Sequence, residues 1–158
     1  MKKHLVLIAL AAALAGCATT PAPVSVADTI ARDPQLSTLH GLVQKAGLAE
    51  SLKAGGPYTV FAPTNEAFSK VPARTLDELG RDPARLKDVL NYHVLPGKVM
   101  TADVKIGNAK TAQGANVALG KAGTFVTVEE AMVEKADIAA ANGVVHTVDR
   151  VLLPPVRR

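Results

Sequence analysis

The side chains able to do chemistry in this chain are few, and their spacing argues against catalysis. The serines are Ser25, Ser37, Ser51 and Ser69, and none sits in a Gly-x-Ser-x-Gly or Ser-x-x-Lys frame that would set its hydroxyl beside a base. Gly55-Gly56 is not followed by the Lys-Ser/Thr pair of a phosphate-binding loop. The carboxylates Asp77-Glu78 and Glu129-Glu130 are adjacent in sequence. Neighbours on a helix or strand point in different directions, so neither pair forms an acid/base dyad. His93 falls seven residues after Leu86, on the apolar face of a predicted helix, and His146 shares a strand face with Val144 and Val148. Both read as buried imidazoles that need partners for their ring nitrogens, with Asp149 and Asn142 as candidates by proximity in sequence. There is no His-x-x-x-His pair and no cysteine cluster to hold a metal. The expectation is no catalytic residue, no metal and no cofactor.

The one cysteine, Cys17, closes the run Leu14-Ala15-Gly16-Cys17, behind Lys2, Lys3 and an apolar stretch from Leu5 to Ala15. This resembles a bacterial lipoprotein signal: a charged start, a short apolar core and small residues before the cysteine. The resemblance implies a signal peptide over 1–16, a covalent lipid (diacylglycerol, palmitate) on the Cys17 thiol, and a mature chain that starts there. Eleven apolar residues are too few to span a bilayer, which takes about 20. Residues 17–24 then supply the lipidated cysteine and a short linker, with Pro21 and Pro23 in a run of small residues. Ala18 follows the cysteine. In Gram-negative lipoproteins an Asp at that position favours the inner membrane, so the outer membrane is expected here if the host has two. The domain then faces the periplasm or the cell surface.

Losing Lys2 and Lys3 with the leader leaves 16 basic residues against 14 acidic ones, and Arg157 and Arg158 in the basic tail, 156–158, supply that excess. The high overall pI is therefore no sign of nucleic-acid binding, for which a basic stripe interleaved with aromatics is wanted. The aromatics are only Tyr58, Phe61, Phe68, Tyr92 and Phe125. That excludes a stacking platform for bases and a sugar-binding face of stacked rings.

The elements that position the histidines come in two groups. Asp33-Pro34 and Asp82-Pro83 are each an N-cap followed by proline in the first helical turn. Leu36, Leu39, Leu42 and Val43 stripe the first helix, which Gly47 stops; Leu86, Val89, Leu90 and Val94 stripe the second, which is predicted to run to Pro96-Gly97. Thr75-Leu76-Asp77-Glu78 matches a capping box closed by Gly80. Tyr58–Ala62 reads as a strand stopped by Pro63, with Thr64 capping a helical turn through Phe68. Later come short β-type runs at Asn116–Leu119, Thr124–Val128, Met132–Glu134, Asp137–Ala140 and Gly143–Leu153. Helices first and clustered strands later predict an α+β domain with mostly antiparallel pairing.

Three segments rise above this background: Gly56–Phe68, Leu90–Gly97 and Asn142–Pro154. In order, they resemble the first conserved box, the Tyr-His motif and the second conserved box of the fasciclin (FAS1, beta-Ig-h3) domain. The leading helix Leu36–Gly47, followed by Leu48–Leu52, is similar to the start of that family. The resemblance spans about Val24 to Pro154, and the domain is placed at 25–155. It implies a wedge-shaped β-sandwich with several packed helices, and non-catalytic adhesion or protein interaction at a cell surface, the partner being a protein or polysaccharide. The Tyr-His motif falls on Tyr92 and His93; with His93 turned to the core, Tyr92 is the expected surface contact. Thr64, Asn65, Asn142, Gly143, His146 and Asp149 are its structural motif positions. An alternative is a periplasm-facing scaffold that binds a small molecule or envelope component. At Val128–Met132, where the family carries a tight Asn/Gly-rich turn, this chain has Glu129-Glu130, and a two-residue hairpin is not expected.

Overall fold

The computed structural model describes residues 24–155; the leader, Cys17, the linker up to residue 23 and the tail 156–158 lie outside the described residues. The first half is helical: α1 (Val26–Arg32), a short 3-10 turn at Pro34–Leu36, α2 (Ser37–Lys45) and α3 (Ala49–Ala54), then α4 (Asn65–Ser69), α5 (Ala73–Arg81) and α6 (Pro83–Tyr92). The strands are β1 (Tyr58–Pro63), β2 (Val94–Pro96), β3 (Gly107–Lys110), β4 (Asn116–Ala122), β5 (Phe125–Val128), β6 (Ala131–Ala140) and β7 (Gly143–Val148). They form one seven-stranded sheet in the order β2-β1-β7-β6-β5-β4-β3. Only β1 and β7 run parallel. This is the α+β architecture that the residue pattern implies. Among the described residues no helix is long and apolar enough to cross a membrane.

The sheet folds over on itself through β6. Its register shifts between Val133 and Ile138, and Asp137 sits at a left-handed φ of 57°. Bulges of this kind bend a strand and increase its twist. One end of β6 pairs with β5 and the other with β7, so the strand passes from one half of the sheet to the other. The edges meet again where Ala112 N–H donates to the Val94 carbonyl at 2.8 Å. Two cores result. Phe61, Leu95, Val117, Leu119, Val126, Val128 and Val148 fill the space between the halves. Val60, Ala62 and Val145, from the opposite face of β1 and β7, pack against Ile30, Leu39, Leu86 and Leu90 of the helices. The period-two alternation along β1 sends Phe61 one way and Val60 and Ala62 the other.

Local chemistry explains the element ends, including those that differ from the sequence reading. Asp33 caps the 3-10 turn through Gln35 N–H at 2.9 Å, and Asp82 caps α6 through the Ala84 and Arg85 amides at 3.1 Å. Gly47 takes φ +70°, the left-handed stop expected there. The expected capping box at Thr75 does not form. Helix α5 begins earlier, at Ala73 behind Pro72, and Glu78 meets Arg74 Nε at 3.2 Å and Arg85 Nη1 at 3.4 Å instead. Helix α6 stops at Tyr92, short of Pro96, because Val94 pairs with Val60 to begin β2. The runs at Met132 and Asp137 are one bent strand, not two. Helix α1 follows the linker directly; Ser25 caps it by accepting from Asp28 N–H at 3.1 Å and donating to its carboxylate at 2.7 Å.

The hairpin at Glu129-Glu130 corrects a sequence expectation. It is a two-residue turn between Val128 and Ala131, with Glu129 at φ 54°. The strain of a left-handed glutamate is offset by a pair of hydrogen bonds to β4: Glu129 N–H donates to the Ala118 carbonyl and Glu129 Oε1 accepts from Ala118 N–H, both at 2.7 Å. The side chain does what glycine freedom does elsewhere.

Asn142 ties the helices to the central strands. Its Oδ1 accepts from Val26 N–H at 2.8 Å, and its Nδ2 donates to the Leu52 and Gly55 carbonyls, each at 2.7 Å. Beside it, a Cβ on Gly143 would collide with the Tyr58 carbonyl, which fixes how closely β7 approaches β1. Asn142→Ala is expected to lower stability by about 2–3 kcal/mol, since it leaves three partners on two segments unpaired. Asn142→Asp should not rescue it, because a carboxylate cannot donate to the two carbonyls. Urea unfolding of both variants tests this; a wild-type midpoint for Asn142→Asp would show that the donors do not matter.

Candidate functional site

His93 caps the C-terminus of α6 and is 2% exposed. Its Nδ1–H donates to the Val89 carbonyl at 2.8 Å, and its Nε2 accepts from Leu152 N–H at 2.9 Å. Its own carbonyl accepts from Phe61 N–H at 2.9 Å. One residue therefore joins the end of α6, strand β1 and the C-terminal segment. Burial drives its pKa down to about 4, against a small opposing pull from the Val89 carbonyl. The ring is neutral and both nitrogens are engaged, so it offers neither a base nor a metal ligand.

His146 repeats the arrangement on β7, at 1% exposure. Its Nδ1 accepts from Asp137 N–H at 3.0 Å and its Nε2–H donates to the Val99 carbonyl at 2.8 Å. The ring stacks on Phe61 with centroids 5.6 Å apart. Asn142 and Asp149, the partners suggested by sequence proximity, do not reach either imidazole. Asn142 works on the helices, and Asp149 Oδ1 accepts from Met132 N–H at 2.7 Å. The carboxylate near His146 is Asp137, 3.9 Å from Nδ1. Burial lowers the His146 pKa; the Val99 carbonyl and Asp137 oppose this only in part. Burial raises that of Asp137, but the Thr101 hydroxyl and amide, His146 and Lys121 together hold it below its usual value. Thr101 N–H donates to Asp137 at 2.8 Å and its hydroxyl at 2.5 Å.

Tyr92 corrects the expectation of a surface contact: it is 3% exposed, packed among Phe61, Leu95 and Val117 in the core between the sheet halves. Only its hydroxyl nears the surface, donating to the Asn116 carbonyl at 3.2 Å with Glu129 Oε1 at 3.5 Å. Burial, then the Glu129 charge, raises its pKa. What reaches solvent here is the rim of a cleft of about 290 Å³ made by Glu129, Glu130, Arg150 and Leu153. Arg150 and Glu130 pair across it at 3.5 Å, and Leu153 is 49% exposed. A larger cleft, about 530 Å³, reaches from Leu153 and Pro154 to Arg85, Asp88 and Gln113. Sequence reasoning missed this rim, since Arg150 and Leu153 carry no spacing signal.

The remaining motif residues also work inward. Thr64 Oγ1 accepts from Ala67 N–H at 3.3 Å to cap α4. Asn65 Oδ1 accepts from Thr38 N–H and its Nδ2 donates to the Pro34 carbonyl, both at 3.0 Å, which docks α4 on α2. Among the described residues no group of three His, Cys, Asp or Glu is placed to hold a metal.

The histidines predict an acid limit on stability. Above the unfolded pKa of 6.5, both states hold His93 neutral and stability is level. As pH falls from 6.5 towards about 4, the unfolded chain takes a proton that the folded one refuses, and stability drops. The full loss from His93 is about 3 kcal/mol, and His146 adds in the same direction. Urea midpoints between pH 7 and 4 read this; a flat midpoint across that window would contradict it. His93→Ala is expected to cost about 2–4 kcal/mol at pH 7 through unmet partners and lost packing, seen as a lower melting temperature.

A family model described as the fasciclin domain matches residues 34–154. A Synechocystis protein, "Protein sll1483", is 39% identical over 141 residues, covering 88% of this chain and 78% of the relative. "Cell surface glycolipoprotein MPB83" of Mycobacterium bovis is 36% identical over 149 residues, covering 91% of this chain and 65% of the relative. "Transforming growth factor-beta-induced protein ig-h3" of Sus scrofa is 39% identical over 142 residues, but this chain spans only 20% of it. In fold, the chain resembles a solved FAS1 domain pair from the insect cell adhesion molecule fasciclin I, with a TM-score of 0.66 at 15% identity, covering 83% of this chain and 51% of that one. With its three motifs built into the two central strands and the α6–β2 corner, the chain belongs to the fasciclin domain family.

Proposed function

We propose that this is a lipid-anchored fasciclin domain of a bacterial envelope, which acts by binding a protein or polysaccharide and performs no catalysis. The observation that carries the reading is the inward use of the motif side chains. Tyr92, His93 and His146 are buried and their polar atoms satisfied, so the motif builds a rigid body and leaves contact to the surface. The likeness to a cell surface glycolipoprotein and the signal ahead of Cys17 support the placement. One domain offers one weak contact, and many anchored copies on one surface convert it into avidity.

The anchor is tested by cell fractionation: the wild-type chain should partition with membranes and detergent, and Cys17→Ser should be released to the soluble fraction. Membrane retention of Cys17→Ser would sink the anchor. The binding role is tested by surface attachment of a deletion strain against a complemented one, where loss and recovery of attachment are expected. The cleft of about 530 Å³ favours a second reading, a periplasm-facing scaffold that binds a small molecule or envelope component. Protease shaving of intact cells separates the two: cleavage supports the outward contact module, and protection supports the scaffold.

A further inference from the structure

We propose that the end of the sheet where the linker enters is a membrane-docking surface, with Phe125 and Ile106 seated in the lipid interface and Lys98 and Lys105 on anionic headgroups. Its orientation rests on the lipid-anchor reading.

Strand direction places the pieces. Tyr58 pairs with Gly143 and with Pro96, so β1 and β7 begin and β2 finishes at one end of the sheet. Antiparallel pairing then brings the end of β6, the start of β5, the end of β4 and the start of β3 to the same end. The loop 97–106, the Ala122–Phe125 hairpin and the Ala140–Gly143 turn therefore share it. The linker arrives there too, because the Val24 carbonyl accepts from Ala141 N–H at 2.7 Å. From Cys17, seven residue steps reach at most about 25 Å. The Glu130–Arg150 end lies about 23 Å further along β7 from the point of attachment, so the linker end is the one the leash keeps nearest the bilayer.

The exposed side chains at this end suit that neighbour. Among the described residues, Ile106 at 76% and Phe125 at 62% are the two most exposed large apolar side chains. Val126 and Val128 point into the core, so Phe125 faces outward by alternation. At this end, residues 97–106 and 121–125 carry Lys98, Lys105 and Lys121 against Asp103 as the only acid. Lys98 and Lys105 are exposed and make no ion pair among the described residues. Lys121 is occupied by the Thr101 and Ala102 carbonyls, and Asp137, the other acid near this loop, is bound by Thr101. An aromatic and an aliphatic tip flanked by free lysines is the composition of an interfacial contact, which need only be weak when a lipid already holds the chain nearby. Docking fixes the Glu130–Arg150 rim facing away from the membrane.

The test uses two features of the sequence: the mature chain has one thiol, Cys17, and no tryptophan. Coupling Cys17 to a maleimide lipid in phosphatidylcholine/phosphatidylglycerol vesicles supplies the leash whether or not cells acylate it. A failed cell fractionation would therefore sink the anchor and leave this result standing. Phe125→Trp is expected to emit further to the blue on vesicles than uncoupled, and to be quenched by brominated acyl chains. Leu153→Trp, exposed on the Glu130–Arg150 rim at the other end, should not change. Lys98→Ala and Lys105→Ala should each reduce the docked-to-free ratio roughly fivefold, and the signal should weaken with salt. Unshifted Phe125→Trp emission, or equal shifts at both positions, overturns the proposal. So does a shift without vesicles that accompanies a doubled mass, which would assign the face to a second copy of the chain.

Discussion

Six residues of β1 lie parallel to six of β7, and the rest of the fold is attached to that pair. All six residues of β7 are buried, and so are the last five of β1. A strand pair covered on both faces needs a partner layer on each side. Helices supply one, and the second half of the sheet, reached through the bend in β6, supplies the other. The pairing joins segments 85 positions apart, Tyr58 with Gly143, so its loop-closure cost has to be met by contacts that form with it. Asn142 and Gly143 meet that need at one end of the pair; at the other, Thr64 N–H donates to the Val148 carbonyl at 3.2 Å.

The two histidines solve a problem that this arrangement creates. A helix end leaves carbonyls without intrahelical partners, and a bulge leaves an amide outside the ladder. In a dry core neither can turn to water. His93 takes the Val89 carbonyl of α6 and the Leu152 amide of an irregular segment; His146 takes the Asp137 amide of the β6 bulge and the Val99 carbonyl of a loop. A neutral imidazole has one donor and one acceptor held at fixed angles, so one ring bridges two such groups at once. Every buried side-chain nitrogen and oxygen among the described residues has a partner. The same neutrality makes the core sensitive to acid.

How much of this was legible in the sequence follows from the range of the interactions. The starts of the central strands, the Asp82-Pro83 helix start and the burial of both histidines depend on local spacing and match the sequence reading; β7 stops at Val148, short of Leu153, and Asp33-Pro34 opens a 3-10 turn ahead of α2. Helix α6 ends before its apolar stripe does because Val94 fits both a helical stripe and a strand, and only its long-range pairing with Val60 decides. The Glu129 turn was missed because its left-handed backbone depends on Ala118, eleven residues away. Asn142 and Asp149 have partners other than the neighbouring histidines for the same reason: a hydrogen bond spanning 116 positions, as from Val26 to Asn142, leaves no mark on neighbouring residues. Burial of Tyr92 was also out of reach, since the residues that cover it come from strands far along the chain.

That burial reshapes what the family motif means here. Residues that identify the fold point inward, where changes would cost stability before they touched any contact. Residues that meet solvent near them, Glu130, Arg150 and Leu153, lie on a turn and a trailing segment whose backbone is fixed by that inward scaffold. Membership therefore constrains the body and leaves the rim free to vary in charge and shape. A few exposed side chains at that end of the sheet can therefore change without disturbing the core, provided that the core histidines stay neutral and β1 stays paired with β7.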